Sequence, residues 1–146
     1  MTLKTLFAVA GLALCMSLSG PARAAADPSH FLLTPALITK MKALEAETAK
    51  AAEREDDDDD GANVKTVEDM QRNIDGTPAL RQLLAKHGLT SREYAMAMFA
   101  ALHAGMHMGF ENAMGKKGAA DAMATYTKEQ RANIDLMRKM YPPARR

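Results

Sequence analysis

His103 and His107 stand four residues apart in the segment AMAMFAALHAGMHMGFENAMG. Four residues are about one helical turn, so on a helix both imidazoles can reach one ion. At roughly 100° per residue, Met96, Phe99, His107, Phe110 and Met114 fall within about 40° of His103, and Met106 lies about 60° away. Imidazole with thioether suits copper, Cu(I) above all. The residues expected to hold a metal are therefore His103, His107, Met96, Met106 and Met114, with copper as the ion and haem as the other prosthetic group of the same reading. Glu111 is the nearest carboxylate in sequence to orient a ligating ring. The spacing equals that of the two histidines of HExxH, but Ala104 stands where the glutamate base belongs, so zinc-protease chemistry is unsupported. The plain alternative is that methionine fills gaps in a core and the histidines make ordinary hydrogen bonds.

A second group is the acidic run Asp56 to Asp60 followed by Gly61. It matches the opening of an EF-hand loop, in which alternate aspartates ligate and glycine allows the turn. The bidentate glutamate then falls on Val67, and Glu68 is one residue late. Starting at Asp57 recovers Glu68 but loses the glycine. The run reads as a solvated, self-repelling loop. No nucleophile, base and orienting group stand in a recognisable set. His87 beside Gly88 reads as a helix C-terminal residue complementing the dipole, and Glu93 reads as part of a cap. The expected function is non-enzymatic.

The elements that would position these groups are helices. Threonine recurs where a helix should start, because its hydroxyl accepts from an orphan N–H of the first turn. Thr34-Pro35 and Thr77-Pro78 add proline at the first helical position. Thr66 precedes Asp69, Thr90 precedes Glu93, and Thr127 precedes Gln130, each by three residues as in a capping box. Leu33 with Ile38, and Leu89 with Tyr94, make hydrophobic staples. Gly76, Gly88 and Gly115 with Gly118 read as stops. The spacing predicts helices over 35–55, 67–75, 78–87, 91–114 and 128–141, an acidic loop over 56–65, and a loop over 115–126 with room for a short turn at 119–124. No stretch alternates as a half-buried strand does. The fold class is all-α, a compact bundle of four to five helices around a central apolar helix. That central helix, 91–114, is apolar nearly all round and is expected to be buried, with Gly105 and Gly109 letting neighbouring helices approach.

The N-terminus reads MTLKTLFAVAGLALCMSLSGPARAAADPSH. Lys4, the apolar run from Leu6 to Leu18, the breakers Gly20-Pro21 and the sites Ala22-Arg23-Ala24 and Ala24-Ala25-Ala26 are the parts of a secretory signal. The predicted organisation is a signal peptide over 1–26 and one helical domain over 27–146, periplasmic or secreted. Leu14 before Cys15 does not fit a lipoprotein site, and the single cysteine of the chain leaves with the signal. The mature domain then has no disulfide and no thiolate chemistry. Of 19 basic residues two leave with the signal, against 18 acidic ones that stay, so the domain is near −1. That gives no electrostatic footprint for nucleic acid. No integral membrane segment is expected after signal cleavage.

The segment YTKEQRANIDLMRKM resembles the LTxxQ segments of the Spy-like periplasmic stress chaperones, with tyrosine for leucine at 126; LTSRE at 89–93 carries glutamate for glutamine at 93. That resemblance implies an all-helical exported protein that cradles client proteins. The segment TPALRQLLAKHGLTSREYAMAMFAALHAG is similar to a group of small secreted helical proteins of Gram-negative bacteria without assigned activity. It implies fold and export alone. The two expectations for function are an exported protein-interaction module of stress type and a copper or haem binder.

Overall fold

The structure is a computed structural model that describes residues 27–52 and 64–142. The signal segment with Cys15, the acidic run Asp56–Asp60 and the last residues predicted for the first helix lie outside those described. Among the described residues the chain is all-α, without strands. A 3-10 turn, Pro28–His30, precedes α1 (Pro35–Ala52), α2 (Val67–Gly76), α3 (Pro78–Lys86), α4 (Ser91–Thr125) and α5 (Lys128–Met140). None of these helices is long and apolar enough to cross a membrane.

Local chemistry sets most of the boundaries. The hydroxyls of Thr34, Thr66, Thr90 and Thr127 accept from the N–H three residues on, at 3.0–3.1 Å. Asp69 and Gln130 complete reciprocal boxes at α2 and α5. Leu33 and Ile38, the staple at α1, are both buried. Gly88 ends α3 in the left-handed region at φ 64°, and its neighbour Leu89 donates back to the Leu84 carbonyl.

Three expectations are corrected. Thr77 does not cap α3 with its side chain: the hydroxyl donates instead to the Asn73 carbonyl of α2. Gly76 is the last residue of α2, not a left-handed stop. Residues 115–126 are not a loop. Gly115 alone leaves helical geometry, at φ 69° and ψ 171°, and the helix resumes as a second arm running to Thr125. Glycine takes this backbone conformation without strain. The following AADAMAT is rich in alanine, the best helix former, and Lys117 pairs with Asp121 one turn on.

The core gathers Leu33, Leu37, Ile38 and Leu44 with Ile74, Leu84 and Leu89, and α4 meets it through Ala97 and Ala100. Helix α4 lies against α2 and α5. Its buried residues are Ala95, Ala97, Ala100, Ala104, His107 and Ala119. It is therefore not buried all round. Leu102, Gly105, Met106, Gly109, Phe110 and Met114 are exposed, and Gly105 and Gly109 have nothing within 4 Å of where a Cβ would sit. The small residues of α4 that meet neighbouring helices are alanines, and these two glycines point outward.

The extended residues before α1 form a strap over α5. Buried Asn133 donates to the Phe31 carbonyl and accepts from the Leu33 N–H, both at 2.8 Å. The Thr127 hydroxyl donates to the Ser29 carbonyl.

Candidate histidine–methionine groove

The first arm of α4 carries His103 and His107 on one face, and the break at Gly115 turns the second arm so that Tyr126, its C-cap, returns to them. The Tyr126 ring meets both imidazoles edge-on, with centroids 4.6 Å from His103 and 5.4 Å from His107. Its hydroxyl lies 3.3 Å from Nδ1 of His107. His107 is only 3% exposed. With its proton on Nδ1 it donates to Tyr126 and leaves the lone pair of Nε2 free. Nε2 of His107 and Nδ1 of His103 are both buried and have no hydrogen-bond partner.

These two histidines and Tyr126 line an open groove of about 480 Å³ together with Met106, Phe110, Ala113 and Met114. A second hollow of about 320 Å³ lies on the other side of His103 and Met106, bounded by Phe99, Leu102, Gln130 and the turn at Asp27–Ser29. Burial, and secondarily the neighbouring His107, hold the His103 pKa below the usual histidine value. Its imidazole is neutral at neutral pH.

Four of the five expected metal-site residues thus share one groove: His103, His107, Met106 and Met114. Met96, two turns before His103, does not line it. Glu111 does not orient a histidine. Its carboxylate pairs with Arg138 of α5 at 2.8 Å, beside another hollow lined by Gly115 and Lys116. The orienting group is Tyr126, whose only trace in the sequence was the tyrosine standing where the chaperone-type segment has leucine. Among the described residues no three of His, Cys, Asp and Glu come together as a metal-holding group.

His87 adds a carboxylate partner to its expected place at the end of α3. It lies 3.0 Å from Glu47 of α1, which also pairs with Lys86. Lys86, and then His87, hold the Glu47 carboxyl below its usual pKa.

No protein-family profile matches the chain, and no curated protein or solved structure was found similar to it.

Proposed function

We propose that this is an exported, non-enzymatic protein that binds a soft metal ion, Cu(I), between His103 and His107. The supporting observation is the pair of buried ring nitrogens without partners, His103 Nδ1 and His107 Nε2, on residues lining one groove. A buried polar atom left unpaired costs about 1–3 kcal/mol, and an ion is one of the few things that accounts for it. Imidazoles must be neutral to ligate, and burial keeps His103 so. With no third His, Cys, Asp or Glu beside them among the described residues, a further ligand is a thioether, Met106 or Met114. Imidazole with thioether selects Cu(I) over harder ions. Tyr126 fixes the His107 ring through Nδ1, as the second partner of a ligating histidine normally does.

Anaerobic titration of Cu(I) against a chromophoric chelator tests this. One copper per chain is expected, with affinity at least tenfold weaker in His103→Ala and in His107→Ala while the helical circular dichroism is unchanged. Affinity falls in acid, because a protonated imidazole has no lone pair for the ion. Copper that stays with the chelator, or variants that bind like wild type, would overturn the reading. Titration with haemin separates the haem alternative.

The exposed row Leu102, Met106, Phe110 and Met114 favours a second reading, a surface for other proteins. It predicts that stoichiometric amounts suppress aggregation of a chemically unfolded client. Undiminished client aggregation dismisses it.

A further inference from the structure

Gly105 and Gly109 stand in the middle of the first arm of α4. A mid-helix glycine costs about 0.5–1 kcal/mol relative to alanine. Neither lies in the left-handed region, which only Gly88 and Gly115 occupy among the described residues. Among the described residues, neither has an atom beyond the helix's own adjoining backbone within 4 Å of a Cβ built on it. No described part of the fold has a use for glycine at either position. What glycine permits there is the close approach of something from outside.

Gly105, Gly109 and Ala113 form a shallow exposed row along the helix at four-residue spacing, with Ala101, half-buried against the core, at its start. The adjacent row at the same spacing is Leu102, Met106, Phe110 and Met114. These four are 55%, 48%, 62% and 37% exposed, and all other exposed large apolar side chains but Leu32 and Tyr141 are absent from the described surface. A ridge at four-residue spacing thus runs beside a groove at four-residue spacing, and none of the eight residues is charged. Ridges and grooves of this period interlock when two helices cross at about −50°. Because one helix carries both, a two-fold axis seats the ridge of each copy in the groove of the other, as an isologous contact requires. On the far flank of the ridge, His107 lines the hollow shared with Met106, Phe110, Ala113 and Met114, buried and with Nε2 unpartnered. A molecule seated on the ridge roofs that hollow.

We infer that this face of α4 is the contact between two copies of the chain, crossing at Gly105 and Gly109. At their stated exposures the four ridge side chains present on the order of 400 Å² of mainly apolar surface, within the range of a functional patch. The glycine and alanine row and the rim of the hollow extend it toward the roughly 600–1,000 Å² that each partner contributes to a specific dimer. The inference does not depend on copper.

Sedimentation of the purified protein from micromolar to millimolar concentration, with a copper chelator present throughout, tests it. A reversible monomer–dimer equilibrium is expected. Gly105→Leu and Gly109→Leu fill the groove while meeting only open space in the monomer, so each leaves the thermal unfolding of dilute protein in place and weakens the dimer at least tenfold. Gly109→Cys should cross-link two copies under mild oxidation, and Lys117→Cys, on the second arm, should not. A monomer at every concentration overturns the inference, including a monomer that protects unfolded clients. So does a dimer unaffected by both leucine variants.

Discussion

Two polar side chains are buried among the described residues, Asn133 and His107, and they are treated in opposite ways. Asn133 uses its carbonyl and its amide at 2.8 Å each, satisfying two backbone groups of the strap that have no helical partner. His107 has one long contact to a phenol and one ring nitrogen with nothing. The first is a polar group buried to complete the fold. The second is buried at a cost that the fold does not recover. On the proposed reading, the difference separates a structural polar residue from one held ready for a ligand, although both are hidden from water.

The sharpest way to break this contrast is Asn133→Leu. It leaves the Leu33 N–H and the Phe31 carbonyl unpaired beside the core, so urea unfolding should show a loss of about 2–4 kcal/mol. A loss below 1 kcal/mol would mean that water reaches the strap and that Asn133 is no anchor. His107→Leu should behave differently. It removes an orphan nitrogen along with the weak Tyr126 contact, and the two largely offset, so stability should stay within about 1 kcal/mol of wild type while copper binding is lost. A loss as large as that of Asn133→Leu would make His107 structural and erase the contrast.

The smallest effect is on pH. The folded-state pKa of His103 is depressed, mainly by burial, so the unfolded chain binds the proton more readily. The stability that neutral His103 contributes is present above its unfolded value of about 6.5 and is lost as pH falls through the lower folded value. His103→Gln should flatten that part of the stability–pH curve. An unchanged slope would show that another group produces it.

The helix starts were legible because a cap is decided within three residues: the four threonines that cap do so through their own hydroxyls and the next turn of backbone. Thr77 failed because its hydroxyl turns back to donate to the Asn73 carbonyl of the preceding helix, outside that window. The exposed face of α4 was not legible. A helical wheel shows which residues share a side and is silent on whether a neighbour covers it. Here the fully buried positions are alanines and His107, and Leu102, Met106, Phe110 and Met114 are left outside. Five of the groove residues, His103, Met106, His107, Phe110 and Met114, were found from periodicity alone. Tyr126 was not, because it lies 19 residues from His107 across a break that one glycine converts from a loop into a bent helix. Helical spacing carries no information past that bend.

The strap also has a consequence for the order of events in folding. The bond between Leu33 and Asn133 joins positions 100 apart in the chain. Closing a flexible loop of that length costs about 4 kcal/mol of chain entropy before the contact returns anything. The helices can cap themselves early, since each needs only its own first turn. The strap at residues 27–33 cannot make its bonds to Asn133 until α5 has formed and docked, so in a chain emerging from its N-terminus it waits for one of the last elements. Contacts of such high sequence separation slow folding, and the Asn133 bonds to the strap are of that kind.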